Sequence, residues 1–583
     1  MSQSYTRPLA RRWLALLMLS ASVLPVASFA QDYERVAPKL PAPVEVPPPE
    51  APALPAPVST DQTVLIPELK GLVFVESIDA ISEDGLTAEA APSGIAAHGV
   101  KLVDTSLRAQ LQPYLNNPLT RSGLEQITYL VREHYRLREH PFVEVTVPPQ
   151  NVQNGVVQII ITEYRVGEVK VTGNRYFSED HIRYLSDLER GERLTLKGLR
   201  RDIDTLNQNP FLTINAVIQP GAETGQSDII LEATDRRPWR VYAGYDNQGV
   251  RSLGRDQWNI GVNWANAFGL GHILSYQYTR SFTGRYASHS LSHVTPLPHG
   301  HKILAYGSYA TQTPSIAPGF KSEGHSGQIS LRYVYNLPDS AHLKHDLQIG
   351  ADFKRTDNNL EFAGFSLLET AAEIVQIPLT YDLTVVDGYG QTTVQNMLVH
   401  APGDMSDHNT DEAIRALVPG SGANYTYNRL SVTRTTQLPE GMIWSLRGTV
   451  QTTNRNLPYS EQLGGGGIGS IRGYFPDTAL GSEGVMINSE LRTPAFRPSV
   501  LFGQSSGTDL LQIGVFYDYA RLSQRTPLPD IASTVKLSSF GFNVHYALGR
   551  TMDLQIEAGK QLHRAPGESK RGAEAAVVLS FSY

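Results

Sequence analysis

The chain has 583 residues, no cysteine, 49 glycines, 27 tyrosines and a formal charge of -7. The lack of cysteine excludes disulfides and thiolate metal sites, and the acidic balance gives no electrostatic case for nucleic acid as a partner. A mean hydropathy of -0.24 fits a soluble protein, and equally a strand barrel in which only alternate residues meet lipid.

At the amino terminus, Arg7, Arg11 and Arg12 precede an apolar run from Trp13 to Val26, and Ala27-Ser28-Phe29-Ala30 offers small residues for cleavage before Gln31. Residues 1–30 therefore read as a signal peptide, since the run is shorter than the roughly 20 residues a spanning helix needs. Pro38 to Pro57 (PKLPAPVEVPPPEAPALPAP) fixes φ and removes amide donors, so residues 31–63 read as an extended periplasmic linker.

From Val64 to Asp235 an αβ pattern occurs twice. In the first copy Leu72 to Ile78 is a predicted strand, a helix is announced by Ser122-x-x-Glu125 as a capping box and runs to about Leu137, and Phe142 to Val147 and Val156 to Glu163 are predicted strands. In the second, Glu168 to Thr172 reads as a strand and Ser178 to Leu188 and Leu196 to Leu206 as helices, with Ile214 to Gln219 and Asp228 to Ala233 as strands. Pro141-Phe142 and Pro210-Phe211 mark a repeat of 69 residues. Tandem β-α-α-β-β units of this kind resemble POTRA domains, the periplasmic modules of outer-membrane protein translocators, and place one at 64–162 and a second at 163–235. The resemblance implies an exposed sheet edge that takes an extended client by strand addition.

Residues 236–583 read as alternating strands. Trp258, Ile260, Val262 and Trp264 share one face against Gln257, Asn259, Gly261 and Asn263, and Leu347, Ile349, Ala351 and Phe353 repeat the rule. At roughly 20 to 22 residues per strand and turn, this region allows about sixteen strands of a transmembrane antiparallel β-barrel, wide enough for an aqueous lumen. The final strand, with Ala575, Val577, Leu579, Phe581 and Tyr583 on one face, ends on an aromatic carboxy terminus; Phe581 and Tyr583 are the expected barrel-assembly signal.

Leu463-Gly464-Gly465-Gly466-Gly467-Ile468-Gly469-Ser470-Ile471-Arg472-Gly473-Tyr474 and Gly514-Val515-Phe516-Tyr517-Asp518 resemble two motifs of the two-partner secretion transporters, the TpsB family typified by the filamentous haemagglutinin and haemolysin transporters. The first is similar to that family's inward-folded sixth loop, here near 463–483, and the second to its aromatic-aromatic-Asp strand. The resemblance implies a lumen lock of Arg472 on Asp518 with Ile471, Gly473 and Tyr474 around it, and a planar guanidinium in a partly dry pore suits a carboxylate partner. It also implies an outer-membrane translocator of a Gram-negative bacterium that binds an unfolded adhesin, haemolysin or haem-scavenging exoprotein through periplasmic POTRA domains. Outer-membrane lipid and the barrel assembly machinery are further partners, and no cofactor, metal or enzymatic activity is implied. In one respect the chain departs from the family. Many members carry a plugging helix ahead of the linker, whereas Gln31 to Lys39 is short and Pro41 onward proline-rich, so no plug is expected.

Other patterns are weaker. Gly464-x-Gly466-x-x-Gly469 lacks the βαβ setting of a dinucleotide site, and Gly503-Gln504-Ser505-Ser506-Gly507 lacks the strand-to-helix turn of a nucleophile elbow. His289, His293, His299 and His301 could be taken for metal ligands, but His299-Gly300-His301 follows Pro296 and Pro298 in a turn, so solvated turn residues are the better reading. An insertase that assembles other barrels would carry three to five POTRA units, and a passive porin would not need the repeats.

Overall fold

The computed structural model describes residues 33–41, 49, 54, 59–316, 318–340, 342–362, 365–501, 508–527 and 532–583. The expected signal peptide, much of the proline-rich segment and Gly503 to Gly507 lie outside these residues.

The first αβ unit has a four-stranded sheet in the order Ile95–His98, Gly71–Val75, Val156–Glu163, Val143–Thr146, covered by helices Thr105–Leu111 and Arg121–Leu137. Gly71–Val75 is buried at every position because both of its neighbours run parallel to it and helices close one face. The long helix starts earlier than the Ser122 capping box predicts. Its N-cap is Thr120, whose extended backbone ends a short strand and whose side chain accepts from Gly123 N at 3.1 Å. Ser122 is already inside the first turn, its hydroxyl 3.0 Å from that of Thr120. The strand expected to reach Ile78 stops at Val75, giving way to one 3-10 turn at Ile78–Ala80.

The second unit orders its strands Arg165–Thr172, Gln226–Asp235, Leu212–Pro220, with helices Glu179–Leu185 and Leu196–Leu206 capped by Ser178 and Thr195. The apolar face of the longer helix, Leu196, Leu199, Ile203 and Leu206, is buried with Phe177, Ile182, Phe211 and Ile229. The core continues into the next domain through Ala265 and Ile273.

Residues from Trp239 onward form a closed barrel of sixteen antiparallel strands, each paired with its neighbours in sequence. The seam joins strand 1 (Trp239–Asp246) to strand 16 (Ala573–Ser582), with Phe581 opposite Ala243 and Tyr583 N donating to Val241 O at 2.9 Å. Alternation sorts the wall as the sequence predicts: Asn259, Asn263, Ser275 and Gln277 are at most 3 % exposed on the inside, whereas Ile260, Leu291 and Ile329 stand outward. Trp239 stacks on Trp264 and Phe268 tilts against it, each pair with centroids 5.1 Å apart, at one rim of the barrel, where amphipathic rings suit a headgroup boundary. No helix among the described residues is long and apolar enough to cross a membrane.

The histidines occupy two settings, a barrel strand and a turn. His289 and His293 sit on barrel strand 4 (Tyr286–Pro296), within 2.7 Å of the Tyr276 hydroxyl and 3.1 Å of His272 Nδ1. His299 and His301 lie in the expected turn, His299 half exposed with Nδ1 3.1 Å from Asp187 of the second αβ unit, and His301 accepting from Asn336 N at 3.2 Å.

Candidate functional site

The loop between strand 11 (Ile443–Thr453) and strand 12 (Glu483–Arg492) turns back into the barrel. Its two sides pair as Leu463–Gly465 with Ala479–Gly481, and residues 466–478 form the tip. The tip depends on glycine at two places. Gly466 has φ +123°, and a Cβ there would lie 2.0 Å from Phe475 O. Gly473 has φ +83° and faces Gly559 of strand 15 (Met552–Gln561), where a Cβ would come within 2.9 Å of the wall's backbone. Gln561 then donates to Gly473 O at 2.9 Å.

Arg472 lies between these contacts. Its Nε and Nη2 donate to the two oxygens of Asp518 at 2.8 and 2.9 Å, and its backbone N–H donates to the same carboxylate at 3.0 Å. Asp518, on strand 13 (Asp509–Ser523), is fully buried and Arg472 is 8 % exposed. Nη1 contacts Glu490, Glu557 lies 3.9 Å away, and the guanidinium carbon is 3.7 Å from the centroid of the Phe516 ring. Asn488 completes the set by donating to Asp518 at 3.0 Å and to Ser470 O. Ile471 is fully buried with Leu463, Met486, Leu522 and Leu537, and the Tyr474 hydroxyl lies between Ser538 O at 2.9 Å and His563 O at 2.7 Å. All four loop residues singled out in the sequence thus meet one arc of wall, strands 12 to 15, which carries Asp518.

Asn488, Glu490 and Glu557 were not singled out in the sequence, whereas Phe516 stands in the aromatic-aromatic-Asp motif. Two of them could have been found from strand register, since Asn488 pairs with Asp518 and Glu490 with Phe516, so both point to the same lumen face as the predicted Asp. Glu557 is three strands from Glu490 and no local pattern marks it.

A family model for the haemolysin secretion/activation protein ShlB/FhaC/HecB matches residues 225–535, and one for the ShlB-type POTRA domain matches residues 91–163. The chain belongs to the ShlB/FhaC/HecB family. It is 20 % identical to the heme/hemopexin transporter protein HuxB of Haemophilus influenzae (strain 86-028NP), over 79 % of this chain and 81 % of that one. It is 24 % identical to the outer membrane transporter CdiB of Dickeya dadantii (strain 3937), over 69 % and 72 %. CdiB from Escherichia coli has the same fold, with a TM-score of 0.74, 16 % identity and full coverage of both chains.

As a member of this secretion family, the chain lies in the outer membrane with its POTRA region in the periplasm. The loop is then the sixth on the extracellular side, and will be called loop 6. The expectation of an unplugged lumen is corrected. Tyr33–Val36 forms one helical turn inside the barrel, where Val36 packs with Val250, Leu253, Tyr286 and Ala310. Its neighbours are held by main-chain bonds, Gln277 donating to Val36 O at 3.3 Å and Arg240 to Lys39 O at 2.9 Å. Arg35 forks onto Asp477 of loop 6 at 2.6 and 2.8 Å. Proline does prevent a long helix here, but an extended segment fills a lumen through side chains and carbonyls without one. Downstream, Pro49 O accepts from Arg200 of the second αβ unit at 2.9 Å.

That unit is fastened under the barrel by Asn209 on Ala265 O at 2.8 Å, Asn266 on Tyr176 O at 2.9 Å and Lys344 on Asp204 at 2.6 Å. Between its helix Leu196–Leu206 and the periplasmic turns lies a cleft of about 1500 Å³, lined by Lys197, Arg200, Asp204, Lys344 and Asp382 among others. Burial raises the Asp202 carboxyl to about 6 and lowers His181, packed against Gly271, to about 4.

Proposed function

We propose that this transporter captures its exoprotein as an extended chain on the free sheet edges of two tandem POTRA units and passes it through the barrel past loop 6, whose resting position is fixed by the Arg472–Asp518 lock. The observation that carries the reading is that lock: a buried, two-bond ion pair joining a glycine-rich loop to a wall it is not sequence-neighbour to. A charge pair in so dry a position is a costly way to gain stability, and fixing one loop placement is its best-attested use.

Residues 163–235 supply the second POTRA unit in this reading, supported by its repeat of the first unit's strand and helix order. The edge strand Leu212–Pro220, with Val217 outward and 41 % exposed, offers unpaired main-chain groups for a client strand, and pockets along it would supply selectivity. The cleft beside helix Leu196–Leu206 lies between this unit and the barrel's turns. Transport needs no nucleotide here: folding of the client outside removes the extended form and draws the equilibrium outward. Phe581 and Tyr583 act earlier, as the signal read by the barrel assembly machinery, and the outward apolar face meets outer-membrane lipid.

The test is secretion of the cognate exoprotein by cells carrying Arg472→Ala. Secretion is expected to collapse while the barrel stays inserted and heat-modifiable on gels; normal secretion would remove the lock from the mechanism.

A further inference from the structure

Loop 6 is fastened to the barrel a second time, at its base. Residues Tyr459–Glu461 make one 3-10 turn that lowers Glu461 onto the neighbouring arc of wall, where it is 2 % exposed. Its carboxylate is 2.6 Å from Lys354 Nζ and accepts from Ser460 at 2.8 Å, Tyr427 at 2.9 Å and Gln376 at 3.2 Å. Its carbonyl accepts from Arg429 at 3.2 Å and Gln451 at 3.0 Å. These partners come from strands 7 (Leu343–Phe362), 8 (Phe365–Asp387), 10 (Tyr425–Gln437) and 11. They are braced in turn: Gln376 donates to Asp352 at 3.0 Å, and Asp352 pairs with Arg332 at 2.7 Å.

None of these side chains touches Arg472, whose partners sit on strands 12, 13 and 15. Between Glu461 and Arg472 the chain reads Gly464-Gly465-Gly466-Gly467-Ile468-Gly469; Gly464 and Gly465 pair with the hairpin's other side, and Gly466, Gly467 and Gly469 take positive φ beyond it, where backbone rotation meets little resistance. Two anchors on separate arcs, joined by glycine, form a pivot and a swinging arm.

We propose that Glu461 is a positioning residue that pins the base of loop 6 to strands 7 to 11, so that the tip beyond the glycines can leave strands 12 to 15 while the base stays in place. This rests on the reading above that loop 6 gates the lumen. A buried carboxylate with four donors is slow to release, because losing one member of a buried charge pair leaves the other unpaid.

The chain has no cysteine, so single thiols report loop placement directly in the full-length protein. Maleimide labelling is followed at Tyr459→Cys for the base and Ser470→Cys for the tip, with heat-modifiability confirming a folded barrel. Arg472→Ala is expected to speed labelling at the tip at least about tenfold and leave the base protected. Glu461→Gln and Lys354→Met are expected to speed labelling at the base by a similar factor, and the exchanged pair Lys354→Glu with Glu461→Lys to restore protection. Equal acceleration of both positions by Arg472→Ala would mean that the loop leaves as one body and overturn the pivot, as would unchanged base labelling in Glu461→Gln and Lys354→Met. Secretion separates the two readings: if Arg472→Ala secretes normally while labelling behaves as stated, the gate reading fails and the pin survives.

Discussion

Removing the Arg472 side chain takes away more than one ion pair. Asp518, Glu490 and Glu557 all face that guanidinium, so Arg472→Ala leaves three carboxylates on one patch of lumen wall with Arg492, 3.1 Å from Glu490, as the nearest paired cation. Breaking a buried pair costs about 3 to 5 kcal/mol, and at about 1.4 kcal/mol per tenfold the released tip gains population by about two to three and a half powers of ten. Asp518→Ala is milder, because Arg472 keeps Glu490 and Glu557 within reach. Arg472→Lys keeps the charge but cannot make both bonds to Asp518 while contacting Glu490, and it loses most of the stacking on Phe516, so it is expected to fail substantially. The assay is a double-mutant cycle on quantitative secretion, with tip labelling as the structural readout. Arg472→Ala with Asp518→Ala is expected to be no worse than Arg472→Ala alone, the non-additivity of a shared interaction. Strictly additive losses would refute the lock.

Deleting residues 33–41 is expected to raise single-channel conductance, since Val36 and its neighbours pack inside the barrel; unchanged conductance in planar bilayers would mean that the segment does not obstruct the path. Deleting Val64 to Tyr164 is expected to leave an inserted barrel that does not secrete, because the second αβ unit carries the contacts to the barrel; wild-type secretion would remove capture from the first unit. Asp202 predicts a pH dependence in the second unit. Its folded carboxyl titrates near 6 against an unfolded value near 3.8, so the folded state binds more protons between these values, and stability falls by about 3 kcal/mol as pH rises from 4 to 6, then levels. Hydrogen exchange of helix Leu196–Leu206 should show that slope in the full-length protein, and Asp202→Asn should flatten it.

The barrel and the Arg472–Asp518 ion pair were legible because each has a local signature. Period-two alternation fixes which residues face lipid, as with Trp258, Ile260, Val262 and Trp264, and two short motifs named Arg472 and Asp518 although 46 positions separate them. Helices with a full apolar stripe, such as Leu196–Leu206, kept their ends. The long helix of the first unit did not, because the choice between Thr120 and Ser122 as cap was made by a two-residue strand pairing Leu119 with Ile66, a contact with no pattern of its own. The misjudged segment was the amino-terminal one. Its prolines argue correctly against a long helix, but occupancy of a lumen is decided by what the walls offer, here Tyr242, Arg240 and Gln277.

Glu461 shows why the rest stayed hidden. In sequence it is one acidic residue in a loop, and a lone Glu there is ordinarily a solvated one. Its burial follows from closure of the barrel, which brings strands 7, 8, 10 and 11 around a turn that leans inward, and no strand reveals that alone. Arg35 on Asp477 has the same origin: the lumen forces the amino-terminal segment and the loop 6 hairpin into one space, and opposite charges there pair. If the tip swings on the Glu461 pivot, Asp477 moves with it and Arg35 loses its partner, so opening the loop and loosening the segment are a single event. Arg35→Ala is therefore expected to speed tip labelling at Ser470→Cys by less than Arg472→Ala does, since the outer pair is more exposed and screened, and equal effects would place the main restraint on the tip at Asp477 instead of Asp518.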